Sequence, residues 1–94
     1  MQIVEPPDCQ GQRYAVQDEE LTIGRSPGCG IPTTYDVYSS TLHARLFRRR
    51  DQLWLEDLGS TNGTYLNSER LAQPARLGKG DLVQIGATVF EVTR

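Results

Sequence analysis

The chain has 94 residues, a mean hydropathy of -0.49 and a formal net charge of -2. A chain of this length forms one domain with a small core, and its acidic balance argues against nucleic acid as a partner. No apolar run approaches the roughly 20 residues that cross a bilayer, so direct membrane insertion of this segment is not expected.

The two cysteines and the single histidine restrict redox and metal chemistry. Cys9 and Cys29 allow one disulfide arithmetically, but two separated cysteines form no disulfide framework, and a reducing compartment fits best. With one histidine and no CxxC pair, a zinc site is not expected. We therefore expect neither a metal nor a cofactor.

The first half of the chain consists of short apolar segments that end at Pro, Gly or polar residues. This pattern predicts strands rather than helices, at residues 2–4, 13–16, 21–23 and around Ile31. Residues 17–20 are expected to form a polar hairpin tip. Residues 33–42 have almost no regular pattern and predict a long loop.

From His43 onward the apolar residues alternate again. Residues 43–57 predict a long hairpin that turns at Arg50-Asp51, and Asn67-Ser68 predicts a second turn. Further short strands are predicted at residues 64–66, 70–71, 75–77, 82–85 and 88–92. No apolar residues recur with helical spacing over a helical length, so ten or eleven short strands predict an antiparallel β-sandwich.

The loop between residues 57 and 64 carries small hydrogen-bonding residues at its tip. Ser60, Thr61 and Asn62 stand between two predicted strands, and Asn62-Gly63 is a strong turn pattern because both residue types tolerate positive φ. A loop tip held by strands at both ends is where a domain displays binding groups.

Several short motifs occur in one order along the chain and together resemble the forkhead-associated (FHA) domain, in wording closest to its bacterial members. The motifs are Gly24-Arg25, Ser40-Thr41-Leu42-His43, Ser60-Thr61-Asn62-Gly63, Leu77-Gly78-Lys79-Gly80-Asp81 and Ile85-Gly86. The resemblance covers about residues 3–92. It implies an all-β, eleven-stranded antiparallel sandwich of the FHA/SMAD-like type with its ligand loops at one end.

The resemblance also implies a function, which is the binding of phosphothreonine in a partner protein or peptide. The residues expected to contact the phosphate are Arg25, Ser40, Thr41 and Thr61. Asn62 is expected to hold the peptide main chain, and Tyr38 to contact the residue three positions beyond the phosphothreonine. The residues expected to support these loops structurally are Gly24, His43 and Gly63. The implied partners include a Ser/Thr kinase or its substrate.

The chemistry of these residue types suits the implied ligand. Phosphothreonine carries about -1.5 to -2 charges and three acceptor oxygens, and the planar guanidinium of Arg25 can meet two of them at once. Hydroxyl groups of Ser40 and Thr61 add neutral donors. The chain departs from many relatives because neither Thr41 nor Leu42 is basic, so a second cation is missing there.

Two other functions are weighed against this one. A phosphate-independent interaction scaffold would use a sheet face or edge, and residues 48–50 could serve it, although a solvated hairpin tip explains these arginines more simply. A hydrolase built on Ser40, His43 and Asp57 lacks a nucleophile elbow and an oxyanion-hole motif, so we predict that the domain is not an enzyme.

We expect residues 1–94 to form a single domain taken from a longer protein. The cytoplasm is the expected location, either for a free protein or for the cytosolic part of a membrane-anchored parent.

Overall fold

A computed structural model describes residues 1–5, 11–16 and 19–93 of the chain. Within these ranges the protein is all-β, as predicted, and its ten strands form two five-stranded sheets. The strands are β1 (Gln2–Glu5), β2 (Glu20–Gly24), β3 (Ile31–Pro32), β4 (Ala44–Arg49), β5 (Gln52–Asp57), β6 (Thr64–Leu66), β7 (Glu69–Arg70), β8 (Ala75–Leu77), β9 (Leu82–Ile85) and β10 (Thr88–Glu91).

The first sheet has the strand order β1-β10-β9-β6-β7, and the second has the order β3-β2-β4-β5-β8. All pairs are antiparallel except β2 and β3, where Ile23 lies opposite Ile31 in a parallel ladder. The sandwich is therefore antiparallel, as predicted, apart from this two-residue pairing at one edge. The reason is that residues 25–30 carry the chain back beside β2, so that two residues pair in the same direction.

The predicted strand at residues 13–16 does not form, which accounts for ten described strands where eleven were expected. Arg13 makes one isolated bridge to Gln2, and the Tyr14 amide donates to the Met1 carbonyl at 2.8 Å. These contacts fasten the segment to β1 without a continuous ladder. Cys9 and part of the predicted tip at residues 17–20 lie outside the described residues.

Strand register explains which side chains form the core. Along β4 and β5, Ala44, Leu46 and Leu55 are fully buried, while the alternating neighbours point away from the other sheet. The core joins these residues to Ile3, Val83, Ile85 and Phe90 of the first sheet and to Ile23, Ile31 and Leu77 of the second. The two sheets thus pack face to face over one apolar layer.

Two hairpin turns use non-glycine residues with positive φ. Arg50 and Asp51 have φ of 53° and 63°, and Asn67 and Ser68 have 50° and 73°. Two-residue loops of this kind match the twist of the strands that they join. Both turns lie where the alternation of the sequence predicts them.

Candidate functional site

Three loops meet beside the start of β4 and the end of β5. They are the β2–β3 loop (residues 25–30), the β3–β4 loop (residues 33–43) and the β5–β6 loop (residues 58–63). The Arg25 amide donates to the Ser40 carbonyl at 2.9 Å, and the Ser26 amide donates to the Thr41 carbonyl at 3.2 Å. These main-chain bonds hold the first two loops side by side, and we call the region formed by all three the loop end.

Gly24 is where the first two loops approach most closely. A Cβ atom at this position would lie 2.2 Å from the Thr41 carbonyl oxygen and 2.9 Å from its carbon. Both atoms are main chain and cannot swing aside, so no larger residue fits without moving the β3–β4 loop. The close approach gives the predicted structural role of Gly24 a specific cause.

His43 connects the β3–β4 loop to the β5–β6 loop. Its ring is fully buried, Nδ1 accepts from the Ser40 amide at 3.0 Å, and Nε2 lies 2.8 Å from the Gly63 carbonyl oxygen. A carbonyl can only accept, so Nε2 donates to Gly63, while Nδ1 accepts from Ser40. Both ring nitrogens are occupied by main-chain groups, so His43 cannot act as a base toward the Ser40 hydroxyl.

Asp57 organises the β5–β6 loop from its first turn. Its carboxylate accepts from the Ser60 hydroxyl and amide, from the Gly59 amide at 3.0 Å and from the Thr64 hydroxyl at 2.7 Å. Ser60 is itself buried and accepts from the Gly63 amide at 2.9 Å. This network fixes the shape of the loop tip before any ligand is bound.

The hydrogen bonds to Asp57 also perturb its titration. Partial burial would raise the pKa of the Asp57 carboxyl, but the bonds from Ser60, Thr64 and Gly59 outweigh burial and hold the pKa below its usual value of 3.8. From the sequence, Asp57 was weighed only as part of a hydrolase triad, which was rejected. In an Asx turn, an aspartate accepts from the backbone amides two and three residues later, as Asp57 does from Gly59 and Ser60. This local pattern could have identified Asp57 as the residue that shapes the loop.

The four predicted phosphate contacts all lie at the loop end. The Thr61 amide donates to Ser40 Oγ at 3.1 Å, which leaves the Ser40 hydroxyl proton without an acceptor in the described part of the chain. Thr41 and Thr61 are exposed. Arg25 is exposed as well, and its guanidinium forms no hydrogen bond or ion pair with any described residue. The loop end therefore presents one unpaired cation beside three hydroxyl groups.

Asn62 joins the β5–β6 loop to the β3–β4 loop at the surface. Its side-chain amide donates to the Tyr38 carbonyl at 2.8 Å. Of the turn pair Asn62-Gly63, Gly63 alone has positive φ, at 86°. Asn62 instead uses its side chain to close the turn against the neighbouring loop.

Tyr38 lies on an exposed apolar stretch of the β3–β4 loop. Its relative exposure is 61%, and that of Val37 is 73%. The Tyr38 amide donates to Asp36 Oδ1 at 3.0 Å, while Asp36 Oδ2 accepts from Ala87 and Thr88 beyond β9. Asp36 is buried, so the one acidic residue of this loop holds Tyr38 in place and offers no free carboxylate to a ligand.

Among residues 1–5, 11–16 and 19–93, no group of acidic, histidine or cysteine side chains could hold a metal ion. In the same ranges no helix is long and apolar enough to cross a membrane.

Comparison with known proteins agrees with this architecture. The FHA domain profile matches residues 21–86, which is more than half of the chain. FhaB, an FHA domain-containing protein of Mycobacterium tuberculosis, is 40% identical over 82 residues, which cover 87% of this chain and 52% of FhaB. The chain thus spans about half the length of this relative.

Solved structures show the same sandwich. One, from a structural and functional analysis of phosphothreonine-dependent FHA domain interactions, superimposes with a TM-score of 0.87 at 26% identity over 99% of this chain and 92% of that one. Another is Mycobacterium tuberculosis EmbR in complex with a low affinity phosphopeptide. It superimposes with a TM-score of 0.83 at 26% identity, over 88% of this chain and 22% of that one. The chain belongs to the forkhead-associated family of β-sandwich domains.

Proposed function

We propose that this domain binds phosphothreonine-containing proteins or peptides at the loop end and catalyses no reaction itself. The observation that carries the proposal is the unpaired guanidinium of Arg25 beside the hydroxyls of Ser40, Thr41 and Thr61, with no exposed carboxylate on the same loops. The similar structure from work on phosphothreonine-dependent interactions and the EmbR complex with a phosphopeptide support it.

The proposed site matches the charge and the donor count of the ligand. A phosphate monoester brings about -1.5 to -2 charges and three acceptor oxygens, and a guanidinium can donate to two of them in one plane. The free Ser40 hydroxyl proton supplies a further donor. The fixed loops reduce the entropy lost on binding, because Asp57 and His43 have already ordered the donors.

Asn62 is proposed to hold the main chain of the peptide. Its Nδ2 is bonded to the Tyr38 carbonyl, and its Oδ1 has no donor among the described residues, so that oxygen can accept from a peptide amide. Tyr38, exposed beside it, would contact a side chain beyond the phosphothreonine and favour an apolar residue there.

The proposed partners are proteins phosphorylated by Ser/Thr kinases, and the kinases themselves when they carry phosphothreonine. Cytoplasmic placement, as a free protein or as the cytosolic part of an anchored parent, is part of the proposal because Cys29 is a free, buried thiol. That residues 1–94 are a single domain of a longer protein stays a prediction.

The test is a titration with a degenerate phosphothreonine peptide library and with matched phosphoserine and unphosphorylated libraries. We expect binding of the phosphothreonine pool alone. Arg25→Ala should lower that affinity by about 100-fold, because a charge-assisted bidentate contact is worth roughly 3 kcal/mol.

Arg13→Ala is the matched control, since Arg13 is also an exposed arginine but is not one of the predicted phosphate contacts. It should bind like the parent protein. Equal binding of all three pools, or unchanged binding by Arg25→Ala, would contradict the proposed function.

A further inference from the structure

We propose that the outer face of the second sheet is a separate binding site for an acidic, unphosphorylated peptide segment. The site consists of Arg45, Phe47, Arg49, Trp54 and Arg76, with Arg50 and Gln52 at its rim, and we call it the arginine–aromatic face. It is independent of the phosphate contacts at the loop end.

Strand register brings these side chains together. Phe47 of β4 lies opposite Trp54 of β5, and Trp54 lies opposite Arg76 of β8. Their sequence neighbours Leu46, Leu55 and Leu77 are buried in the core, so the alternation of the strands turns Phe47, Trp54 and Arg76 outward. Two large aromatic rings thus stand on the solvent side of a sheet whose other side already forms the core.

The rings hold two of the arginines in place. Phe47 and Trp54 stack with centroids 6.3 Å apart and an angle of 19° between their planes. The Arg45 guanidinium lies 4.3 Å from the centroid of Phe47, and that of Arg49 lies 5.9 Å and 5.6 Å from the centroids of Phe47 and Trp54. Stacking occupies the face of a guanidinium and leaves its N–H edge free to donate.

The charges of this face are only partly neutralised. Arg45 forms ion pairs with Glu20 and Glu56. Arg49, Arg50 and Arg76 form no ion pair with any residue that the structure describes, and with Gln52 and Trp54 they line one shallow depression. A cluster of unpaired cations in a chain of net charge -2 marks a local site for a negative ligand.

A peptide rich in Glu or Asp fits this pattern better than a nucleic acid does. Carboxylates match the planar donor edge of a guanidinium, and a short acidic segment can bind between Arg49 and Arg76 without passing over the acidic neighbours. A continuous polyphosphate backbone would have to approach Glu20 and Glu56 on the same sheet face, where like charges oppose it.

The position of the face permits one partner to occupy both sites. Ala44 follows the loop end directly, and the five residues from there to Arg49 along β4 span about 17 Å. An extended peptide linker of roughly six residues covers this distance. An acidic segment a short way from the phosphothreonine would then raise affinity through effective concentration.

Trp54 is the single tryptophan of the chain, so its fluorescence reports on this face alone. The first experiment titrates the protein with a Glu-rich peptide without phosphate and with the same peptide carrying Gln in place of Glu. We expect a saturable change in Trp54 emission with the Glu peptide only, weakened by salt. No change, or the same change with the Gln peptide, would overturn the inference.

Variants test which arginines are responsible. The double substitution Arg49→Gln, Arg76→Gln should weaken binding of the Glu peptide by about tenfold. The control, Arg13→Gln with Lys79→Gln, removes the same net charge elsewhere and should bind like the parent; thermal melting of both verifies that they fold. If the two double variants bound the Glu peptide equally, any weakening would come from the change in net charge, and the proposed site would be wrong.

A third experiment uses a phosphothreonine peptide that is joined through a flexible linker to either the Glu-rich or the Gln-rich segment. The Glu-rich form should bind at least about tenfold more tightly, and only while Arg49 and Arg76 are present. If phosphothreonine peptides do not bind but the Glu peptide still changes Trp54 emission, the proposed function fails and this inference stands. A single-stranded oligonucleotide that binds this face more tightly than the Glu peptide would overturn the acidic-peptide assignment.

Discussion

The loop end and the arginine–aromatic face position their exposed polar groups in different ways. At the loop end, the buried His43 and the partly buried Asp57 bond to main-chain atoms of the β3–β4 and β5–β6 loops, so the backbone there has one fixed shape. On the face, guanidinium groups lie against Phe47 and Trp54, and their position depends on side-chain stacking. We therefore expect single substitutions to disable the loop end but only to weaken the face.

Gly24→Ala is expected to have the largest effect. The added methyl group would collide with the Thr41 carbonyl, which is main chain, so the β3–β4 loop or the end of β2 must move. We expect a loss of about 3 kcal/mol in the free energy of unfolding, measured by urea denaturation.

Gly28→Ala in the same loop region is the control, because its nearest neighbour to an added Cβ is the Ser26 hydroxyl at 3.7 Å. It should change the stability by less than about 0.5 kcal/mol. If the two alanine variants unfolded at the same urea concentration, the close approach of the loops would not be what fixes the loop end.

Asp57→Asn should have an intermediate effect. The neutral amide loses the charge-assisted bonds from Ser60, Thr64 and Gly59, so we expect about 2 kcal/mol lower stability near neutral pH and weaker phosphopeptide binding. Asp51→Asn, at the exposed β4–β5 turn, should leave both properties unchanged.

The pKa of Asp57 also predicts part of the loss of stability of the protein in acid. The pKa of Asp57 is lowered by folding, so its contribution to stability is complete above the unfolded value near 3.8 and is lost as the pH falls through the lower folded value. Stability of the parent protein should therefore fall faster below about pH 4 than that of Asp57→Asn. Parallel pH profiles for the two proteins would contradict the assigned role of the carboxylate.

Phe47→Ala should have the smallest effect and should separate the two regions. It removes a cross-strand ring pair and one support for Arg45 and Arg49, for which we expect a loss of about 1 kcal/mol in stability. Phosphothreonine peptides should bind with unchanged affinity in calorimetry, since the loops are untouched. A marked loss of that affinity would mean that the two regions are coupled.

The difference between the regions also explains what could be predicted from the sequence. Alternation along β4 and β5 predicts the hairpin and its Arg50-Asp51 turn, because a period of two depends only on local pattern. The motif order around Arg25, Ser40 and Thr61 points to residues that the structure does bring to one end. Their roles as phosphate contacts stay a prediction.

Features that depend on how neighbouring segments pair could not be obtained from alternation alone. The parallel pairing of β2 with β3 depends on the path of residues 25–30, and residues 13–16 make only one isolated bridge to β1 instead of a ladder. The stack of Phe47, Trp54 and Arg49 depends on how side chains of β4 and β5 pack across the hairpin. From the sequence alone, residues 48–50 indicate either a solvated hairpin tip or a surface for a phosphate-independent partner, and the aromatic stack is not predicted. Asp57 had a local pattern, the Asx turn, and was overlooked.

The most direct test of the central claim is to follow the backbone amides by nuclear magnetic resonance during titration with one phosphothreonine peptide. We expect the largest shifts at Arg25, Ser40, Thr41, Thr61 and Asn62, with little change along the arginine–aromatic face. The unphosphorylated peptide should produce no shifts at the loop end. Shifts confined to β4, β5 and β8, or equal shifts with both peptides, would contradict the assignment of the loop end as the phosphothreonine site.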